Sequence, residues 1–124
     1  MLKKQMKHLL SVLAVTTAMV SVPAVSSAAE KNVSNIEAGK KLAFDRSKGN
    51  CLACHAIPGG SLPGNIGPAL IAMKLRFPEK SDLFDKIWGK PEKTVTYSMM
   101  PQFGHNGVLS DDEINKIVDF LYEL

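Results

Sequence analysis

The chain's two cysteines and the histidine after them lie in one stretch, Gly49-Asn50-Cys51-Leu52-Ala53-Cys54-His55. Two thiols at this spacing lie on one helical turn, where each can add across a vinyl group of a porphyrin and form a thioether. The next residue, His55, then lies beside the central iron and supplies an axial imidazole. The pattern Cys-x-x-Cys-His therefore predicts one covalently attached haem c, held by Cys51, Cys54 and His55.

A Cys-x-x-Cys pair is also compatible with a disulfide, a thioredoxin-like redox site or half of a zinc site. A thioredoxin-like pair is expected at the start of a helix in a βαβ unit, and no strand alternation surrounds the motif. Zinc needs further ligands, and the histidines left outside the motif are His8 and His105. The adjacent His55 and the export signal described next favour haem.

The first 28 residues have the pattern of a secretory signal peptide. Lys3, Lys4 and Lys7 precede a mostly apolar run over residues 9–22, and Ser26-Ser27-Ala28 supplies the small residues of a cleavage site. We expect cleavage after residue 28 or one residue later, which leaves one domain at residues 29–124. The alternative is a retained membrane anchor, but the run is short for a bilayer span. Export of a chain with a cysteine pair fits the bacterial periplasm.

The positive charge of the chain lies in this predicted signal peptide. The full sequence has 15 Lys+Arg and 12 Asp+Glu, a formal net charge of +3. Residues 1–28 contain three lysines and no acidic residue, so residues 29–124 have no net charge. We therefore expect no binding to nucleic acid and no stable membrane insertion. A domain of this size is marginal for a core of its own, so we expect haem to complete the core.

Apolar periodicity predicts an all-α domain with its helices around the haem. A capping box at residues 34–37 is expected to start a helix that runs to about residue 48. Gly39 and Ala43 are small and would let another helix cross this one closely. We expect Phe120 to fill the groove above them.

Three further helices are predicted in the second half of the chain. Two short ones are expected at residues 69–77 and 82–89, the latter capped by Ser81. A second capping box, at residues 110–113, precedes a longer helix that reaches the C-terminus. Its apolar side chains recur at the helical period and are Ile114, Ile117, Val118 and Leu121.

Two irregular segments separate these helices. Residues 56–68 are rich in Gly and Pro, which predicts a loop over a flat surface. If this loop covers the His55 side, a carbonyl near Pro68 is placed to accept a hydrogen bond from the imidazole. Residues 94–109 form the second loop.

The second loop holds the predicted second axial ligand of the iron. A thioether sulfur is a soft, neutral donor that suits low-spin haem iron. Met100 is favoured over Met99 because Pro101 restricts the backbone beside it. His105 is the competing ligand, although a histidine among glycines is ordinarily exposed. The predicted metal ligands are thus His55 and Met100.

The order of these parts resembles a class I cytochrome c over nearly the whole of residues 29–124. A narrower resemblance, to the monohaem X subunit of the SoxAX cytochromes, is carried by three segments: Pro63-Gly64-Asn65-Ile66-Gly67-Pro68, Arg76-Phe77-Pro78 and Met100-Pro101-Gln102-Phe103-Gly104-His105-Asn106-Gly107-Val108-Leu109. The chain departs from that pattern at Gln102, where a second proline is more usual, and at His105-Asn106, where a basic residue usually precedes the histidine.

The narrower resemblance implies an electron-transfer subunit that is not itself catalytic. In SoxAX complexes thiosulfate is joined oxidatively to a cysteine of a sulfur carrier protein, and two electrons are released. The X subunit passes them from the catalytic SoxA-type subunit to a small acceptor cytochrome c, so these three proteins are the implied partners. Both cysteines of this chain are assigned to thioethers, which leaves sulfur chemistry to another chain. The alternatives are a free-standing periplasmic electron shuttle and a haem subunit of another dehydrogenase.

Overall fold

The computed structural model describes the backbone of residues 25–124 and the side chains of residues 29–124. Its α-helices are α1 (Val25–Phe44), α2 (Met73–Arg76), α3 (Lys80–Trp88) and α4 (Asp111–Leu121). Short 3-10 turns lie at Cys51–Ala53 and Pro91–Lys93, and this part of the chain contains no strand. The all-α prediction is confirmed for it. The side chains of the predicted signal peptide, residues 1–28, lie outside the described ones.

Helix α1 packs against α4, and Gly39 allows the close approach. A Cβ at Gly39 would lie 1.9 Å from the carbonyl oxygen of Lys116, so only glycine fits there. The predicted close crossing is therefore confirmed. The groove above Gly39 is closed by the backbone of α4, whereas Phe120 makes an edge contact with Phe44 at 5.9 Å between ring centroids.

Helix α1 differs from the prediction at both ends. Residues 29–33, which precede the predicted start, are helical, and Ser34 lies inside the helix, so the capping box predicted there is wrong. The helix ends at Phe44 because a turn follows directly. In that turn the Asp45 carboxylate accepts hydrogen bonds from the backbone N–H and the hydroxyl of Ser47, at 2.8 and 2.7 Å.

Helix α4 matches its prediction in start and in buried face. The Ser110 hydroxyl accepts from the backbone N–H of Glu113, and the Glu113 carboxylate accepts from the backbone N–H of Ser110 at 2.9 Å. The four apolar residues predicted for its inner face are all buried: Ile114, Ile117, Val118 and Leu121. The two short helices lie near their predicted positions, but α2 begins only at residue 73 and α3 has Glu79 rather than Ser81 at its N-cap.

Candidate functional site

The motif cysteines lie on the 3-10 turn Cys51–Ala53 and its C-terminal residue. Asn50 enters the turn in the left-handed conformation with φ 46°, and the backbone N–H of His55 donates to the carbonyl of Cys51 at 2.9 Å. Side chains three residues apart on a 3-10 turn project in the same direction. Both thiols are free and half-buried, so one side of the turn carries two unpaired sulfur atoms.

The ring of His55 is held by the Gly-Pro-rich loop. Its Nδ1 lies 2.6 Å from the carbonyl oxygen of Pro68, which agrees with the expectation of a carbonyl acceptor near that residue. A carbonyl oxygen only accepts hydrogen bonds, so Nδ1 carries a proton, and in the neutral imidazole Nε2 keeps its lone pair. Gly67 leaves space for the ring, because a Cβ there would lie 2.4 Å from Cε1 of His55.

Backbone hydrogen bonds fasten this loop along the motif. The N–H groups of Gly64, Gly67 and Leu70 donate to the carbonyls of Leu52, Cys54 and Ala56, at 2.8, 2.8 and 2.9 Å respectively. The loop therefore runs alongside the motif and pairs with it at regular intervals, although it contains no regular secondary structure. This backbone pairing places the Pro68 carbonyl opposite the imidazole.

The electrostatics of Cys51 are those of a neutral thiol. Burial raises the pKa of the Cys51 thiol to about 11, so it is protonated at neutral pH. A thioredoxin-like pair instead needs a cysteine of lowered pKa. Within residues 25–124, no three side chains of His, Cys, Asp or Glu cluster as a metal site of that composition requires. The raised pKa of Cys51 does not favour the redox-pair interpretation of the motif.

The second loop separates the three candidate iron ligands by exposure. Met99 is 78 % exposed, whereas Met100 is half-buried and packs against the hydrophobic core. The backbone N–H of Met100 donates to the Ser98 hydroxyl at 3.2 Å. His105 is exposed, and its ring contacts the edge of Trp88 at 5.9 Å between centroids.

The contacts that support this second loop are not apparent from the sequence. The indole N–H of Trp88 donates to the carboxylate of Asp111 at 3.1 Å, and a Cβ at Gly104 would lie 2.1 Å from Cδ1 of Trp88. The residues of the indole–carboxylate pair are 23 positions apart, and no local pattern marks such a pair. The sequence shows a glycine at position 104, but it does not show that the ring of Trp88 lies against it.

Comparison with known proteins decides the family. Residues 34–121 match the family model described as cytochrome c oxidase, cbb3-type, subunit III. The chain belongs to this cytochrome c family. Membership implies a covalently bound haem c and a function in electron transfer. The match spans all four α-helices except the first turns of α1, so the helices, the motif and both loops belong to one cytochrome c domain.

A curated relative of this cytochrome is an uncharacterised lipoprotein of Aquifex aeolicus (strain VF5). It is 36 % identical over 77 residues, which cover 61 % of this chain and 37 % of that protein. The chain thus spans little more than a third of the length of that relative. Among the helices within residues 25–124, none is long and apolar enough to span a bilayer.

The residues around the motif of this cytochrome fit a c-type haem. They offer two thiols on one turn, an imidazole whose Nε2 is free to bind iron, and a glycine that makes room for the ring. Haem bound there would supply a one-electron iron couple. Cys51 and Cys54 are the residues that would hold the porphyrin, and Pro68 would orient His55 towards the iron.

Proposed function

We propose that residues 29–124 form a periplasmic monohaem cytochrome c that transfers single electrons between partner proteins. The observation that carries this proposal is the hydrogen bond between His55 and Pro68 inside a Cys-x-x-Cys-His turn. It gives the imidazole a fixed tautomer and orientation, which an axial ligand needs and a surface histidine does not. Cys51 and Cys54 then hold the porphyrin through thioethers, and His55 provides one axial ligand.

Met100 is proposed as the second axial ligand. Its side chain is half-buried against the core, whereas the adjacent Met99 points to solvent with 78 % exposure. Pro101 restricts the backbone on its C-terminal side. A buried, neutral thioether favours the reduced iron and gives a higher potential than a second nitrogen ligand.

Export is part of the same proposal. The pattern of residues 1–28 supports a cleaved signal peptide, and the Aquifex relative is named a lipoprotein, a class of exported proteins. Covalent attachment of haem c then takes place after translocation.

The test of the haem site uses the full chain expressed in a bacterium with a haem c maturation system. The mature protein should exceed its apoprotein mass by one haem and should show haem stain on a denaturing gel. The oxidised protein should show the weak red absorption band of methionine bound to iron. Met100→His should abolish this band and lower the reduction potential, whereas Met99→Leu should leave both nearly unchanged. The reverse result would assign the ligand to Met99, and insensitivity to both would favour His105.

The proposed partner complex is of the SoxAX type, with this chain as its electron-transfer subunit. Support comes from the three sequence segments that resemble the X subunit. Within these segments Ile66 is 62 % exposed, whereas Phe103 is buried in the core. We therefore propose Ile66 as the partner contact. Phe103 instead packs in the core and supports the second loop.

Reconstitution tests this partner assignment. The purified chain alone should not oxidise thiosulfate, because it has no free thiol once haem is attached. A SoxA-type subunit, a thiol-bearing carrier protein and an acceptor cytochrome c should together give thiosulfate-dependent reduction of its haem. Ile66→Asp should weaken assembly and leave haem attachment intact, and Asn65→Asp, one residue away, is the control. Equal reduction of the acceptor without this chain would exclude the SoxAX role.

A second candidate function follows from the matched family, whose description names a subunit of a terminal oxidase. This finding favours a respiratory electron carrier, either free-standing or bound to an oxidase. Such a carrier should be reoxidised rapidly by oxygen in the presence of isolated membranes and should be indifferent to thiosulfate. Purification of tagged protein from periplasm and from membranes, followed by mass spectrometry, separates the two candidates by the chain that copurifies.

A further inference from the structure

Trp88, the last residue of α3, contacts both the second loop and α4. Its backbone carbonyl accepts hydrogen bonds from the N–H groups of Gly104 and His105, at 3.1 and 3.0 Å. Its indole N–H donates to the carboxylate of Asp111, in the first turn of α4, at 3.1 Å. The last carbonyls of a helix have no partner within the helix, and here the loop satisfies them.

The loop also passes directly over the indole ring. A Cβ at Gly104 would lie 2.1 Å from Cδ1 and 2.4 Å from Nε1 of Trp88, so the absence of a side chain permits this approach. The preceding residue, Phe103, is buried, and its backbone N–H donates to the carbonyl of Ile87 at 3.3 Å. Residues 103–105 are therefore fixed to the end of α3 through their backbone, and the indole fixes that end to α4.

Restraint on Met100 comes mainly from this C-terminal side. Only two residues separate Met100 from the anchored Phe103, and one of them is Pro101. On the N-terminal side, Val95, Tyr97 and Met99 are 46, 85 and 78 % exposed. The exposed side chains make few packing contacts, so this half of the loop is held less firmly.

We infer that Trp88 and Asp111 are positioning residues for Met100, and that their hydrogen bond controls how readily the methionine sulfur leaves the iron. The inference rests on the proposed ligation of iron by Met100. Loss of the indole–carboxylate bond removes one tie between the end of α3 and α4, and residues 103–105 gain mobility with that end. The thioether is displaced more often, and an external ligand gains access to the iron.

Binding of imidazole to the oxidised holoprotein measures this displacement, because imidazole must replace the methionine. Asp111→Ala should raise the apparent affinity for imidazole about three- to fivefold, since the loss of an exposed hydrogen bond worth about 1 kcal/mol changes an equilibrium by about fivefold. Trp88→Phe should have the same effect. The double variant should bind imidazole no more tightly than either single variant, because both substitutions remove the same hydrogen bond. Asp111→Asn keeps an acceptor oxygen, so its imidazole affinity should stay close to the weak affinity of the unsubstituted protein.

Asp112→Ala is the matched control. Asp112 lies in the same first turn of α4 and carries the same charge near the helix N-terminus, but its ion pair is with Lys116. This variant should leave the imidazole affinity within about twofold of the original, since exposed ion pairs contribute little. If Asp111→Ala and Trp88→Phe behave as Asp112→Ala does, the positioning role is excluded.

Met100→Ala distinguishes the proposed ligation by Met100 from the proposed positioning role of Trp88 and Asp111. It should bind imidazole tightly, and adding Asp111→Ala to it should change nothing further, because no methionine remains to be displaced. A further rise in that background would show a general structural effect and would overturn the inference. If Met100→Ala itself leaves the affinity unchanged, the ligand assignment fails and the inference fails with it, while haem attachment at the cysteines stands.

Discussion

Two neighbouring residues fix the imidazole of His55. The carbonyl of Pro68 accepts its Nδ1–H at 2.6 Å, and Gly67 leaves the space in which the ring lies. A hydrogen bond at Nδ1 makes Nε2 a more basic ligand. A more basic ligand stabilises oxidised iron relative to reduced iron, so with iron bound at His55, as proposed, this contact should lower the reduction potential.

Gly67→Ala is the direct test of this arrangement. The added Cβ would lie 2.4 Å from Cε1 of His55, so the ring must turn or the loop must move, and the bond to Pro68 weakens. The yield of holoprotein should fall and the potential should rise by tens of mV, since a tenfold change in relative affinity for the two oxidation states is about 59 mV for one electron. Spectroelectrochemical titration measures the shift. Asn65→Ala, at an exposed position of the same loop, should leave the potential unchanged, and an equal shift in both variants would contradict the assignment.

Single-residue contacts could be predicted where the chain brings the partners together locally. A carbonyl acceptor near Pro68 is predictable for His55 because the two residues lie 13 positions apart, at the two ends of one Gly-Pro-rich loop. The bond from Trp88 to Asp111 is not predictable, because it depends on how α3 meets α4 in space. The choice of Met100 over Met99 stays a prediction, which their difference in exposure supports.

At the scale of helices, Glu113 connects the start of α4 with the turn that follows α1. Its carboxylate accepts from the Lys48 ammonium and from the backbone N–H of Ser110, both at 2.9 Å. The hydrogen bond from Lys48 is the main cause, and that from Ser110 the second, of a pKa of the Glu113 carboxyl below its ordinary value of 4.5. Folding therefore favours the ionised carboxylate.

Glu113→Gln should lower the free energy of unfolding at pH 7 by about 0.5 to 1 kcal/mol, because the pair is partly exposed and screened. Since the folded pKa lies below the unfolded one, the stabilisation is present above about pH 4.5 and is lost as pH falls through the lower, folded value. The difference between variant and parent should therefore shrink towards pH 3. Urea unfolding at the two pH values measures it. Glu123→Gln removes a more exposed pair with Lys74 and should have almost no effect at either pH.

Gly39→Ala tests the contact between α1 and α4. The Cβ would meet the carbonyl of Lys116 at 1.9 Å, and a backbone atom cannot move aside as a flexible side chain can. Although alanine is the better helix former, we expect a net loss of about 2 kcal/mol or more from the displaced helix. Thermal unfolding of the holoprotein measures the loss. Lys40→Ala, the exposed neighbour, should change stability by less than about 0.5 kcal/mol, and a similar small effect at Gly39 would contradict the close crossing.

Helix α4 could be predicted because its capping box and its apolar period point to the same residues. The start of α1 could not, because the predicted cap at Ser34 competes with a helix-favouring sequence before it. Residues 28–31 read Ala-Ala-Glu-Lys, and these residue types favour helix. A serine is tolerated within such a helix, so its presence marks a boundary only when the preceding residues cannot be helical.

In the molecule as a whole, the hydrophobic core is small and the two loops expose many apolar side chains. The core combines the inner faces of α1, α3 and α4 with single residues such as Met73 and Phe103. Of the large hydrophobic residues that the described part exposes, the following lie between residues 62 and 99: Leu62, Ile66, Ile71, Leu75, Val95, Tyr97 and Met99. A porphyrin attached to the motif adds apolar surface against which such side chains can pack.

The fold is therefore expected to depend on haem attachment, and the variant Cys51→Ala/Cys54→Ala tests this at the scale of the whole chain. Without thioethers the porphyrin is not retained, and the remaining core is too small to offset the conformational entropy of ordering two long loops. The exported double variant should lose its cooperative thermal transition and be degraded rapidly by protease, as circular dichroism and limited proteolysis would measure. Met99→Leu, matched for expression and maturation, should keep both properties. A double variant that unfolds cooperatively at the temperature of the holoprotein would show that the polypeptide core suffices and that haem serves electron transfer alone.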